Sequence, residues 1–224
     1  MAPLVTTAKL VCKSKEAREQ VFSAFHKIVE HSREYEPGVL RYIVTVPIDD
    51  KTGTELYMIE EYASQKVSDD HLATAPVQDL IKLFTTGDVL AGAPEVHNTH
   101  TVAEKIAKPP PTLISDPAIL LASIEYKPGT LEHALEGWKE LVDYVEKNEE
   151  GTRAYAITAA EGGSEVRAVE VYDSWDYVFK VHAKSPAMAE CTKHNGKDRV
   201  GRIGIVQLRA VDGFLGRERG GAKI

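Results

Sequence analysis

Glu36-Pro37-Gly38-Val39-Leu40-Arg41-Tyr42-Ile43-Val44-Thr45 is written a second time, in outline, as Glu149-Glu150-Gly151-Thr152-Arg153-Ala154-Tyr155-Ala156-Ile157-Thr158, 113 residues further along the chain. A chain that contains itself twice is two copies of one supersecondary unit, and the search for the unit's limits runs outward from this stretch. Upstream, Ala17, Val21, Ala24 and Ile28 match Leu131, Leu135, Trp138 and Val142 at an offset of 114. Each set follows the i, i+4, i+7, i+11 stripe of an amphipathic helix. Downstream, Ile59-Glu60-Glu61-Tyr62-Ala63-Ser64 matches Val169-Glu170-Val171-Tyr172-Asp173-Ser174 at an offset of 110, and His71 through Pro76 then matches His182 through Pro186. Short insertions in turns, where added length costs little, account for the drift.

Each copy reads as strand, helix, strand, turn, strand, helix, strand. The first strands cover about Leu4 to Val11 and Ile119 to Tyr126. The middle strands form hairpins through Asp49-Asp50-Lys51-Thr52-Gly53 and Glu161-Gly162-Gly163-Ser164, both rich in residues that tolerate positive φ. A βαββαβ unit folds as an antiparallel sheet with both helices on one face, the ferredoxin-like plan of the α+β class. The second strand carries Leu40, Tyr42, Val44 and Val46 on one face and Val39 and Ile43 on the other. A sheet apolar on both sides with helices for only one needs a second apolar partner, so the expectation is two ferredoxin-like repeats packed sheet to sheet. The boundaries expected are 1–103 for the first repeat, 104–117 for a connector containing Pro109-Pro110-Pro111, 118–215 for the second repeat and 216–224 for a flexible tail.

Composition narrows the partners. Of 224 residues, 43% are hydrophobic and 27% charged, with 34 acidic against 27 basic side chains and a net charge of −7. Such a balance gives no general attraction for phosphate backbones, so nucleic acid is not an expected partner. No segment approaches 18 uninterrupted apolar residues, and the first residues lack the pattern of a secretory leader, so neither a membrane span nor export is expected. Cys12 and Cys191 have no metal-like spacing, which argues against a disulfide framework or a zinc motif. The expected location is cytoplasmic, with the peroxisome as the alternative, because Ala222-Lys223-Ile224 after Gly220-Gly221 resembles a variant of the small-basic-aliphatic address.

Gly followed by Tyr in the second strand, Glu-x-Tyr-x-Ser closing the third, and a helical His shortly before a Ser/Ala-Pro step together resemble the antibiotic biosynthesis monooxygenase (ABM) domains of the dimeric α/β-barrel superfamily, here in tandem. The match is clearer in the second repeat, through Glu170, Tyr172, Ser174, Trp175, Tyr177, His182 and Pro186. The first repeat departs from it, having Gln65-Lys66 where the second has aromatic Trp175 and Tyr177, and a His-to-Pro gap one residue longer. The resemblance implies an intrachain α/β barrel. It also implies a family of cofactor-independent oxygenases acting on anthrones and other phenolic polyketides, quinol monooxygenases, haem-degrading enzymes and members without a known reaction. A deprotonated, electron-rich phenol or enol can itself pass an electron to O2, so such a protein needs a base, donors for the anion and a dry cavity. The expected function is therefore a monooxygenase using O2 on a small hydrophobic aromatic or phenolic molecule, with no cofactor and no metal. A non-catalytic small-molecule carrier and a haem-binding or haem-degrading protein stand as alternatives, and the outer faces leave room for a homodimer.

His71 and His182 recur at equivalent places one turn after Val67 and Val178, and are the candidate general bases. The plainer alternative is that each bonds a neighbouring strand end or helix terminus. Tyr42, Tyr155, Tyr62, Tyr172 and Trp175 are the candidate substrate-binding side chains, with core packing as the competing account. Glu60 and Glu170 share a strand face with Tyr62 and Tyr172 and are expected at the wet end of the strand. His97 and His100 point to opposite faces of a strand and are not expected to share a metal. His194, in a helix-ending turn, is expected to be exposed. The second repeat is richer in aromatics and the first in histidines, so the choice of repeat that holds the site stays open.

Overall fold

The computed structural model describes residues 2–108 and 116–217; the proline connector and the Ala222-Lys223-Ile224 end lie outside the described residues. The elements are β1 (Leu4–Val11), α1 (Lys15–Tyr35), β2 (Val39–Pro47), β3 (Glu55–Tyr62), α2 (Gln65–Leu72), α3 (Ala75–Thr86) and β4 (Glu95–Ile106), then β5 (Ala118–Tyr126), α4 (Leu131–Asn148), β6 (Thr152–Ala159), β7 (Glu165–Tyr172), α5 (Trp175–Lys180), α6 (Pro186–Asn195) and β8 (Arg199–Phe214). The chain is α+β, and each repeat is ferredoxin-like. Where the sequence suggested one second helix per repeat, there are two. Pro76 and Pro186 stand in the first turns of α3 and α6, where a missing N–H is tolerated, and the chain ahead of them leaves the helix. Among the described residues no helix is long and apolar enough to cross a membrane.

The described residues form two compact units, drawn from 1–98 with 210–224 and from 99–209. In the first, hydrogen-bonded strands run in the order β1-β3-β2-β8, and Glu60 on the central β3 faces Thr6 on one side and Tyr42 on the other. In the second, the order is β8-β5-β7-β6-β4, and Glu170 lies between Leu120 and Tyr155. The hairpin of the first unit closes as expected: Asp50 Oδ1 accepts from the N–H groups of Thr52 (2.9 Å) and Gly53 (3.0 Å), the latter at φ +70°.

Helix α1 starts at the Ser14 cap, whose hydroxyl accepts from Ala17 N at 3.1 Å, and buries Val21, Phe25, Ile28, Val29 and Ser32. Helix α4 buries Ala134, Trp138, Leu141, Val142 and Val145. Both helices end alike, Glu36 N–H donating to Ser32 O and Glu149 N–H to Val145 O. These ends and stripes align the helices at an offset of 113, which sets Phe25 opposite Trp138 and Ala24 opposite Gly137. The one-residue difference from the sequence alignment has a simple cause. Adjacent buried pairs, Ile28-Val29 and Leu141-Val142, widen the stripe enough for a slipped register to match as well.

Gly38 and Gly151, the landmarks of the repeat, are sites of close approach. A Cβ on Gly38 would lie 2.7 Å from a Val67 methyl, and one on Gly151 would lie 2.4 Å from the Tyr177 ring. The helix after β3 or β7 therefore rests directly on the start of β2 or β6. We expect Gly151→Ala to destabilise the chain by about 1–3 kcal/mol through overpacking. Chemical denaturation of G151A, Y177A and the double variant will measure it, with Y177A relieving most of the alanine's cost.

Candidate active site

The first unit encloses a cavity of about 360 Å³, within the range of small-molecule sites. Its wall is apolar, formed by Leu4, Phe25, Ile28, Met58, Leu80 and Phe84. Its polar end gathers Tyr42, Glu60, Tyr62 and His71, with Thr6 hydrogen-bonded to Asn98 at 2.8 Å nearby. Leu72, Ile81 and Val96, all on the lining, are 49%, 42% and 53% exposed and give it an apolar rim.

His71, 1% exposed, is fixed from several directions. The Ser64 cap starts α2, and the helix carries His71 beneath the end of α1. There Nδ1 lies 3.0 Å from Glu36 Oε2, which also accepts from Ser32 Oγ at 2.7 Å. The carboxylate selects the Nδ1–H tautomer and leaves Nε2 directed toward Glu60 Oε1, 4.0 Å away. The Tyr42 and Tyr62 rings flank the imidazole at centroid distances of 5.7 and 5.3 Å. The Tyr62 hydroxyl donates to Glu60 Oε2.

The second repeat rebuilds the same group. His182 Nδ1 meets Glu149 Oε2 at 2.8 Å, Thr152 Oγ1 donates to that oxygen at 2.8 Å, and Tyr172 OH donates to Glu170 Oε2 at 2.7 Å. Tyr155 and Tyr172 each lie 5.2 Å from the His182 ring. Thus His71, Tyr42 and Tyr62 converge on the cavity, and His182, Tyr155 and Tyr172 converge in the same way. Trp175 stands apart, half-buried, with its ring stacked on Phe179 at 6.2 Å.

Glu60 and Glu170 are not at a wet strand end. They are 6% and 7% exposed, since each lies on a central strand with pairing strands on both sides and helices over its face. Burial raises both pKa values above the ordinary glutamate value, against the opposing pull of the histidine and the two tyrosine hydroxyls. Glu36 and Glu149 move the other way. Burial acts against their charged form, but the histidine with Ser32 or Thr152 outweighs it and both values fall. Each histidine therefore sits between one carboxylate that resists protonation and one that favours it.

Two cations complete the arrangement. Arg217, just after β8, donates from Nη2 to Ser32 O at 2.6 Å and from Nη1 to Glu36 O at 3.2 Å. Lys105 on β4 donates from Nζ to Val145 O at 3.1 Å and to Glu149 O. Each covers the last carbonyls of the helix that ends in the histidine's partner, a favourable place for positive charge. Nothing at sequence level ties these two residues together. Glu36 and Glu149, by contrast, are legible as the same glutamate two residues ahead of the repeat glycine.

Two ferredoxin-like repeats, each with a Glu-His-Glu-Tyr group that in the first lines a solvent-reachable, largely apolar cavity, define an α+β protein with a pocket of small-molecule size. The chain belongs to the antibiotic biosynthesis monooxygenase family, whose model matches it twice, at residues 13–83 and 117–194. No curated protein matches the sequence. Solved structures with the same fold include a candidate monooxygenase from Lactobacillus acidophilus NCFM, with TM-score 0.77 and 19% identity over 95% of this chain and 96% of that one. Another, a candidate monooxygenase from Fusobacterium nucleatum, has TM-score 0.81 and 17% identity over 96% and 94%. An anthrone oxidase-like protein has TM-score 0.65 and 13% identity over 99% and 97%.

Two outcomes follow from the charges. A folded pKa above the unfolded value means that Glu60 contributes stability below pH about 4.3 and loses it as pH rises through the raised value; Glu36 contributes above that pH and loses it as pH falls through its depressed value. Glu60→Gln should therefore be more stable than the parent chain at pH 8. The gap should close near pH 4 in denaturant titrations at the two pH values. Lys105→Met, which strips the α4 end of its donor, should cost about 1–3 kcal/mol in the same measurement.

Proposed function

We propose that the protein is an O2-dependent monooxygenase that needs no cofactor and acts on a small hydrophobic substrate with an acidic C–H or phenolic O–H, and that the first repeat holds the working site. The observation that carries this reading is the pairing of Glu60 and His71 on the wall of a largely apolar cavity. A phenol or an anthrone-like methylene placed there loses its proton to the His71–Glu60 pair. Burial holds the pKa of the Tyr42 and Tyr62 hydroxyls high, so they remain donors beside the resulting anion.

The anion gives one electron to O2. Recombination of substrate radical and superoxide forms a C–O bond, and the same proton pair returns a proton to the peroxide. Loss of water then turns a CH2 group into a carbonyl. One oxygen atom ends in the product and the other in water, the substrate supplying both hydrogens and all four electrons with no external reductant. An apolar wall favours this sequence, because it stabilises neither escaping superoxide nor a competing hydration of the anion.

Oxygen-electrode assays with a panel of anthrones, quinols and lipid-derived substrates should show stoichiometric O2 uptake. With an accepted substrate, His71→Ala and Glu60→Gln should each lower kcat by about 10²- to 10⁴-fold, whereas His182→Ala should stay within a few-fold of the parent. Saturable binding without O2 uptake would identify a carrier instead, and equal losses in the two histidine variants would refute the assignment to the first repeat.

A further inference from the structure

Outside this site, the second unit holds a cluster that the proposed reaction does not use. His133 and Glu136 stand in the first turns of α4, and His194 in the last turn of α6. A nitrogen of each imidazole and a carboxylate oxygen of Glu136 lie within 4.8 Å of one another. The two rings are 4.1 Å apart between centroids, and His133 Nδ1 is 3.6 Å from Glu136 Oε2. His194, expected to be exposed, is instead half-buried, lying against Gly137, where an added Cβ would come within 2.8 Å of its ring.

We propose that His133, Glu136 and His194 form a zinc-binding site that ties α4 to α6. The ligand set is chemically apt. Two imidazoles and one carboxylate suit Zn2+, which takes them with a water in a tetrahedral shell, and suit Ca2+ or Mg2+ poorly. The cluster also contains the supporting bond that metal-binding histidines commonly have. His194 Nε2 lies 3.0 Å from the carbonyl oxygen of His133. Donation to that oxygen fixes the tautomer and leaves Nδ1 with its lone pair. Gly137, by omitting a side chain, gives the ring its place, whereas the first repeat has Ala24 at the equivalent position.

Access and adjustment are available as well. The His133 and Glu136 side chains are 42% and 69% exposed, so both can turn to shorten the 4.8 Å spread toward the roughly 2 Å bonds that zinc requires. His194 is the preset ligand and the other two close on it. Cys12 and Cys191, the competing soft ligands, are buried. The metal would link a helix shared in outline by both repeats to the helix that follows the Ser185-Pro186 step, and so would stabilise the folded state in proportion to its binding.

The test is isothermal titration of the full chain with ZnCl2 at pH 7.5 after chelator treatment and dialysis, with a parallel thermal-shift series. We expect one zinc per chain and a Tm that rises with zinc. His133→Gln and Glu136→Gln, substitutions at exposed positions, should leave the zinc-free Tm unchanged and weaken binding by at least about ten-fold, as should His194→Gln. A parent chain that binds zinc no more than three-fold tighter than the His133→Gln/His194→Gln double variant, or that binds none, overturns the proposal. This measurement involves neither O2 nor substrate, so it stands or falls independently of the oxygenase reading.

Discussion

A buried histidine held by a glutamate, half-buried in the first repeat and buried in the second, is the interaction on which the rest of each repeat depends. Removing a charge-bearing pair from water costs several kcal/mol per ion unless its remaining lone pairs and protons find partners. Much of the local architecture supplies those partners. Ser32 or Thr152 donates to the glutamate, and Arg217 or Lys105 covers the carbonyls of the helix end from which the glutamate projects. Gly38 or Gly151 lets the helix bearing the histidine, or leading to it, settle against the start of the next strand. Replace any of these by an apolar residue and the pair keeps its burial while losing a reason to tolerate it.

The same pair separates the roles of two acids. Glu36 has its pKa lowered because the histidine and Ser32 outweigh the cost of its burial, while Glu60, more deeply enclosed, has its pKa raised by burial in spite of His71 and the two tyrosine hydroxyls. In the proposed reaction a proton on His71 therefore has the harder-to-protonate Glu36 behind it and the more easily protonated Glu60 in front. That asymmetry is set by depth in the fold rather than by residue type, since both acids are glutamates. In the proposed reaction the first serves as an anchor and the second exchanges a proton with the molecule in the cavity.

Most of the framework was legible in the chain, and what was not has identifiable causes. Duplication of Gly38 and Tyr42 in Gly151 and Tyr155 revealed the two repeats, and alternation in β2 revealed a sheet buried on both faces. The break ahead of Pro76 and Pro186 was missed because a proline in a first helical turn looks, in sequence, like a proline merely tolerated there. Strand alternation placed Glu60 beside Tyr62 and Met58 but does not say which end of a face is wet; that depends on β3 lying centrally in its sheet. Partnership between Glu36 and His71 spans 35 residues, and that between Arg217 and Ser32 spans 185. No local pattern encodes contacts of that range, although the repeat itself hints at the first, because Glu149 and His182 keep nearly the same separation.

The two repeats carry the same reactive groups but differ in the volumes packed around them. Phe25 borders the cavity; its counterpart Trp138 is larger, 4% exposed, and donates from Nε1 to the Tyr126 hydroxyl at 2.8 Å. Tyr126 in turn replaces the small Cys12 of the first repeat. Ala24 is replaced by Gly137, against which His194 and Asn195 of α6 lie close. Two of the aromatics that enrich the second repeat, Trp138 and Tyr126, are thus packed in its core. The proposed reaction needs empty space beside a base, and the smaller Phe25 borders such a space beside His71 in the first repeat.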